Sequence, residues 1–563
     1  MEVTRRDFLK LAAIAGGLAA TDRPGLLAAG APEKLLEFQP LGNVTLLHMT
    51  DSHAMLLPVH YREPDTLLGI GPEKGKPPYL TGEEFLKFYG IKRGTAEAYA
   101  LAHLDFAELA RRYGRMGGYA HIATLVRRIR AERPGKTLLL DGGDALQGSA
   151  TSLWTNAEDM LQAINQLGVE VFAAHWEFTF GIGRVKEIFG DKDKPGSFKG
   201  EFVAQNVMDI SWGAPGDPVF KPYTVRELGG ARIGIIGQAF PYTPISHPLR
   251  FVPDLSFGIR EEQLQLRVDE LRRQKVDAVV LLSHNGVGVD LKLAGRVRGI
   301  DVILGGHTHD GIPRPIKVGN TLVINSGAYG KFLSRLDLDV KGGKIAGYRY
   351  KLIPVLSNYI PADPEMAALI KNIRAPYQAR LAEKLAVSES LLYRRGNFNG
   401  SFDEIILEAM LKHYDAQVVF SPGFRWGASV LPGQTITLED VYTQTALTYP
   451  NTWSREMSGA EVKTVIEDVA DNIFHKDPYY RQGGDMVRVG GVSYTIDPDK
   501  KVGQRITDLR IGGQLIDSAR RYKAAGWASM MEVDGPPVFD VVANYLRAQK
   551  RVRVDTRSRV KVA

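Results

Sequence analysis

Two histidines, His307 and His309, close the segment Asp301-Val302-Ile303-Leu304-Gly305-Gly306-His307-Thr308-His309. An apolar run ending on paired glycines reads as a buried strand entering a tight turn. In extended backbone residues two apart project to the same side, so both imidazoles are expected to face one point. Convergent imidazoles suit a divalent metal. Four other apolar runs end in comparable residues: Val44 to Met49 leads into Asp51 and His53, Thr137 to Leu140 into Asp141 and Asp144, Val169 to Ala174 into His175, and Ala278 to Ser283 into His284 and Asn285. Open α/β sheets assemble sites in this way, at the carboxyl ends of their strands.

Two cations roughly 3.5–4 Å apart need a bridging ligand, and a two-oxygen carboxylate bridges best. Asp144 is expected in that role. Asp51, His53, Asp144 and His309 then surround one ion, and Asp144, His175, His284 and His307 the other, with space for a shared hydroxide. This uses five of the twelve histidines. His48 falls inside the first strand, and His103, His121 and His413 fall in helical patterns, so these are read as structural. Asn206, after the strand Phe202 to Ala204, suits an outer-sphere donor and a loop cap equally well.

These residues need an alternating frame of strands and helices. The first strand spans Asn43 to Thr50. Leu56 to about Arg112 is punctuated by Pro and Gly, carries helical pieces at Glu83 to Tyr89 and Ala96 to Arg112, and reads as an insertion over one face. An amphipathic helix follows at Tyr119 to Arg130, and strand, helix and ligand alternate up to Asp310. Strands at Thr321 to Ile324 and Arg335 to Val340 close the first domain, placed at 40–355 with 57–112 inserted. A helix from Pro364 to Leu385 connects it, through a linker at 356–385, to a second α/β domain at 386–554.

Residues 1–31 read as an address. Thr4-Arg5-Arg6-Asp7-Phe8-Leu9-Lys10 before an Ala/Gly/Leu stretch resembles a twin-arginine export signal, with Ala29-Gly30-Ala31 as the cleavage site, which predicts a periplasmic protein. The stretch is too short and weakly apolar to span a membrane. The net charge of +7 suits anionic substrates or an acidic partner, and no basic run interleaved with aromatics points to nucleic acid. Cysteine is absent, which excludes disulfides, thiolate metal sites and cysteine nucleophiles from this chain. Any sulfur chemistry uses a thiol brought by something else.

The order Asp-x-His, Gly-Gly-Asp, His-x-Glu-Phe, Ala204-Gln205-Asn206-Val207, His284-Asn285-Gly286 and Gly305-Gly306-His307-Thr308-His309 resembles the 5'-nucleotidase family of dinuclear metallohydrolases. Within that family it is most similar to the thiosulfohydrolases of periplasmic sulfur oxidation. The resemblance implies a four-layer metallophosphatase-like α/β domain joined to a smaller α/β substrate domain. It also implies a substrate site in the cleft between them and a pair of manganese ions; the imidazole-rich ligand set would accept zinc as well.

The departures carry more information than the matches. Where a 5'-nucleotidase reads Gly-Asn-His-Glu-Phe-Asp, this chain reads Ala174-His175-Trp176-Glu177-Phe178-Thr179. By that alignment the catalytic histidine and its aspartate become Trp176 and Thr179, so the group that assists an alkoxide leaving from phosphate is gone. A thiol, with pKa of roughly 8.5, leaves as an anion unaided. Trp176 is therefore expected to shape a pocket for a sulfur-bearing chain. In the second domain Tyr449 and Asn451 could match the first half of the nucleotidase base clamp, whereas Gly526-Trp527-Ala528 lacks the other half. Arg395, or its neighbour Arg394, and Arg425 match arginines that the family aims at the substrate anion. The function implied is removal of a sulfonate group from a cysteine-bound S-sulfonate or S-thiosulfonate on a SoxYZ-like sulfur carrier protein, releasing sulfate. A periplasmic nucleotide phosphoesterase is the alternative.

Overall fold

The computed structural model describes residues 32–563 except 212, 214, 215 and 556–558. The export signal expected at 1–31 lies outside the described residues. In the first domain two six-stranded sheets pack face to face. The first is built on Val44–Met49, Thr137–Asp141, Val171–Phe172 and Glu201–Phe202, all parallel, with the long antiparallel hairpin Phe332–Lys341 and Lys344–Pro354 at one edge. In the second, Ala231–Gln238, Ala278–Ser283, Val302–Gly305 and Thr321–Asn325 run parallel, with antiparallel strands at both edges. Parallel strands covered on both faces must be apolar throughout, and runs such as Ala278–Ser283 are buried at every position.

One core cluster joins the inner faces of the two sheets, through side chains such as Leu46, Leu140, Ile235 and Leu304. Helix Tyr119–Glu132 and helix Glu158–Leu167 cover the outer face of the first sheet, and helices Glu261–Arg273 and Val287–Arg296 that of the second. The result is a helix–sheet–sheet–helix sandwich, the four-layer α/β fold that the motifs imply. It serves the site because two sheets present their strand ends to a single cleft.

The connector helix starts at Pro364, as expected, and Asp363 caps its first turn by accepting from the Met366 N–H at 2.9 Å. It ends earlier than Leu385. Pro376 lacks an N–H to bond the carbonyl four residues back, so the helix Pro364–Arg374 gives way to a tighter turn and a short helix to Leu381, and Lys384–Ser388 is already a strand. The second domain holds a four-stranded sheet centred on Val418–Ser421 and Arg521–Trp527, a three-stranded sheet, and a further four-stranded sheet to which Val560–Val562 adds a parallel strand, beyond residue 554. Its core continues into the first domain through Met55, Tyr61, Trp176 and Tyr329.

Two expectations about the insertion change. The single helix over Ala96 to Arg112 is two, Ala96–Leu101 and Phe106–Tyr113, broken where Asp105 takes left-handed backbone (φ 53°) and ion-pairs with Arg93 at 2.6 Å. His103 lies in that break rather than in a helix and bonds the Pro64 carbonyl at 3.1 Å. The segment also does not simply cover one face; residues 59–74 run across the seam between the domains.

Candidate metal centre

Every expected ligand sits just past a strand of the first domain, and the structure gathers them into two groups: Asp51, His53, Asp144 and His309, and Asp144, His175, His284 and His307. Within each group one ligand atom per residue lies within 4.8 Å of the others. Nε2 of His53 and Nε2 of His309 are 3.0 Å apart, which places two nitrogens at one point. Oδ2 of Asp144 lies 3.3 Å from His175 Nδ1, 3.2 Å from His284 Nε2 and 3.8 Å from His53 Nε2. The same oxygen therefore faces nitrogens of both groups.

His307 and His309 do not face one point. Both adopt left-handed backbone, φ 72° and 60°, instead of the extended form, and they serve different groups. Asp51, His53 and Asp144 share that region at φ 53°, 46° and 57°. For residues other than glycine it costs about 1 kcal/mol each, and it is tolerated where the surroundings over-determine the loop. Here they do: Glu177, fully buried, accepts from the backbone N–H groups of Asp144 (3.2 Å), Ala145 (2.8 Å) and His175 (2.9 Å). Thr50 donates to Asp51 Oδ2 at 2.6 Å, and His284 Nδ1 is oriented by the Gly142 carbonyl at 2.6 Å.

The donor set fits a pair of divalent cations. Nδ1 of His175 and Nε2 of His284, the nitrogens turned toward Asp144 Oδ2, are buried without any hydrogen-bond partner, an arrangement that proteins rarely tolerate in empty polar sites. Burial draws His53 down to about 4, which keeps it a neutral lone-pair donor. Burial pulls His284 down as well, but the Asp144 and Asp51 carboxylates outweigh it and lift His284 to about 10. Burial alone would raise Asp144, yet His175 and His284 hold it well below the usual carboxylate range. Two buried carboxylates that draw positive charge into their midst are what a metal pair requires.

A cavity of about 210 Å³ opens onto both groups, between the domains. Trp176 lines it, with its ring centroid 5.2 Å from Phe424 and 4.8 Å from Trp426, both edge-on, and 5.3 Å from His175. Thr179 Oγ1 is spent on the Trp176 carbonyl at 2.8 Å. Arg425 borders the cavity, and its Nη1 donates to the His307 carbonyl at 3.0 Å. Arg395, expected beside it at the substrate, lies behind: it is 2% exposed, and its Nη2 donates to the Thr308 carbonyl at 3.0 Å. Arg394 is structural, with Nε on Asp403 at 2.7 Å and Nη1 on the Gln444 carbonyl at 2.7 Å. Tyr449 and Asn451 are outside the cavity lining. The Tyr449 ring packs against Phe251 at 5.7 Å, and Asn451 is held in a backbone bridge with Pro537. Trp527 completes no base clamp either, since its Nε1 is fixed on Ser421 Oγ at 2.8 Å.

Asn206 is a loop tie, donating to the carbonyls of Ala239 (2.8 Å) and Gly258 (2.9 Å) and accepting from the Ala239 N–H at 2.8 Å. The residues missed from sequence are Glu177 and His247. The first was visible inside the His-x-Glu-Phe segment but has no periodicity to mark a buried anchor. His247 is fully buried and stacks on His175 with centroids 5.0 Å apart; nothing around it in sequence announces a site.

Residues 44–311 match the family model described as calcineurin-like phosphoesterase, and 386–541 match that of the 5'-nucleotidase C-terminal domain. The solved structure of the sulfate thiohydrolase SoxB of Thermus thermophilus, in complex with glycerol, is 41% identical, with a TM-score of 0.90 over 93% of this chain and 98% of that one. The chain belongs to the SoxB family. Bovine and human 5'-nucleotidases are 24% and 25% identical over about 435 residues, covering 70% of this chain and 73% of theirs. A 5'-nucleotidase precursor of Thermus thermophilus shares the fold at a TM-score of 0.71 and 23% identity. This SoxB-family chain is thus a hydrolase of the metallophosphoesterase type that works with two divalent metals.

Proposed function

We propose that this protein hydrolyses a cysteine-bound S-sulfonate, or the longer S-thiosulfonate, on a sulfur carrier protein and releases sulfate, in the thiosulfate oxidation that its SoxB relatives imply. Water adds to the sulfonate sulfur, an S–O bond forms and the S–S bond to that sulfur breaks; the carrier departs as cysteine thiolate from the S-sulfonate or as persulfide anion from the S-thiosulfonate, and the water's protons pass to solvent. No oxidant or reductant is needed. Asp51, His53, Asp144, His175, His284, His307 and His309 would hold the two cations, which supply an activated water and neutralise developing oxyanion charge when bound. Arg425, at the cavity wall, receives the sulfonate oxygens. Manganese is the proposed metal by family, with zinc as the competitor favoured by imidazole ligands. The site of action is the periplasm, reached by twin-arginine export. Among the described residues no helix is long and apolar enough to cross a membrane.

The observation that carries this reading is Trp176. An indole, walled by Phe424 and Trp426, stands where nucleotidases keep a proton-transferring histidine, and the neighbouring Thr179 is turned away. An alkoxide leaving group needs a proton as it departs; a thiolate does not. A nucleotide phosphoesterase remains the second reading, favoured by the similarity to the nucleotidases. Offering the purified enzyme a carrier bearing Cys-S-sulfonate and, separately, a nucleoside monophosphate decides between them. Sulfate release without comparable phosphate release is expected, and the reverse overturns the proposal.

A further inference from the structure

The insertion has a place in the site that neither its composition nor the reaction assigns. Its residue Tyr61, 2% exposed, donates through Oη to the Arg425 carbonyl at 2.7 Å. The Tyr61 ring stacks on Tyr329 with centroids 4.4 Å apart and planes 19° apart. Tyr329 belongs to the metal domain: its N–H donates to the Asp51 carbonyl at 2.9 Å, its ring lies 5.8 Å from that of His53, and its hydroxyl accepts from the Gly427 N–H. Asp51 and His53 on one side and Arg425 on the other are therefore connected through two tyrosines in contact.

The rest of the segment fixes Tyr61 in place. Buried Lys331, between two strands of the metal domain, donates to the Tyr61 carbonyl at 3.1 Å and the Ala100 carbonyl at 2.9 Å, and pairs with Glu63. Toward the second domain, Ser429 N–H donates to the His60 carbonyl at 2.6 Å, and Arg62 N–H to Ser429 Oγ at 3.1 Å. Asn397 N–H donates to the Thr66 carbonyl at 3.0 Å, and Arg481 pairs with Glu73 at 2.7 Å. A strap of about fifteen residues thus crosses the domain seam beside the cavity, and the contact nearest the cavity is the one to Arg425.

We infer that Tyr61 is a positioning residue: by holding the Arg425 main chain at its carbonyl it sets where the guanidinium, braced on the His307 (3.0 Å) and Gly484 (2.8 Å) carbonyls, sits at the cavity wall, and so governs affinity for the oxyanion without touching it. This rests on the proposed role of Arg425 in receiving the anion. Tyr61→Phe keeps the ring stack and deletes one hydrogen bond, so the loss of anion affinity is capped by the worth of one net bond, and a loss approaching that cap, about fivefold, is expected. A merely structural residue would weaken the fold and leave anion affinity alone.

The test titrates inorganic sulfate and phosphate into the metal-loaded full-length enzyme by calorimetry, for wild type, Tyr61→Phe, Arg425→Ala and the double variant, with metal content measured on each. Tyr61→Phe should weaken sulfate about fivefold with two ions retained, and in the Arg425→Ala background the same change should add nothing. Ser429→Ala, which loosens the strap one contact away, should move affinity in the same direction by less. Wild-type affinity in Tyr61→Phe, or a penalty that persists in full without Arg425, overturns the inference while leaving the function standing. If Arg425→Ala binds sulfate as wild type does, both the inference and the role of Arg425 fall.

Discussion

The backbone N–H of Trp176 donates to Oδ1 of Asp144 at 2.7 Å. One carboxylate oxygen is thereby occupied by the residue that replaces the nucleotidase histidine, and Oδ2 is left as the oxygen facing both ligand groups. Two features of this site, a carboxylate shared by both ligand groups and an indole in the cavity wall, are thus joined by a single hydrogen bond.

An amide at position 144 cannot satisfy both sides of that arrangement. Asp144→Asn should lose both ions, whereas His309→Ala, which belongs to one group alone, should retain about one per chain. Metal per chain after exhaustive desalting, read by plasma mass spectrometry, checks this. Two ions retained in Asp144→Asn would remove the shared-ligand assignment.

Restoring an imidazole tests the leaving-group argument. Trp176→His should raise phosphomonoesterase activity roughly tenfold, short of the roughly hundredfold or more that a well-oriented general acid gives, because Thr179 offers no carboxylate to orient the ring. Turnover of the carrier should fall with the loss of apolar contact, at unchanged metal content. Steady-state rates on both substrates decide it, and unchanged rates on both would remove Trp176 from the chemistry.

The neighbouring arginines should separate in their effects. Arg394→Ala removes one of the two buried guanidinium partners of Asp403, leaving Arg488 at 3.2 Å, and should cost about 1.5–3 kcal/mol of stability, the worth of a hydrogen bond to a charged group. Arg425→Ala should instead weaken oxyanion binding at least tenfold, the worth of a charged hydrogen bond, with a smaller loss of stability. Urea unfolding beside sulfate titration distinguishes the two. A collapse in stability only for Arg425→Ala would reverse the roles.

Burial raises Asp159, in the helix Glu158–Leu167 that covers the first sheet, from 3.8 to about 6. The native state then binds a proton that the unfolded chain has released, so the protonated form's contribution is complete below 3.8 and is lost as pH climbs to about 6. The loss is about 3 kcal/mol across that window and flat above it. Asp159→Asn should lack this slope. The stability difference between the two proteins should therefore shift toward the variant by about that amount between pH 4 and pH 7, measured by urea midpoint. A constant difference would show that Asp159 titrates normally.

The sequence was legible where chemistry and local pattern coincide. Strand ends such as Ser283 and Gly305 hand their ligands over at the expected residues, because an apolar run of fixed length followed by Gly and His leaves little choice. The pairing of Asp144 with both groups was readable from carboxylate chemistry alone. What failed depended on backbone and on distant contacts. His307 and His309 diverge because their loop is left-handed, which no residue type there announces. Arg394, Arg395 and Arg425 are chemically alike, and only how deeply each is buried within the second domain separates ion pair, loop clamp and cavity wall. Glu177 looked like a neighbour of Trp176 and is the anchor for two ligand loops.

That five of the seven ligand residues sit in left-handed backbone bears on any attempt to transplant this site. Copying seven side chains onto loops of another scaffold would reproduce the inventory and miss the aim of each, because ordinary loops place a non-glycine residue elsewhere. A graft would have to carry the bracing carboxylate of Glu177 and the parallel strand ends with it. The portable unit is the loop frame, and the imidazoles and carboxylates are its most replaceable part.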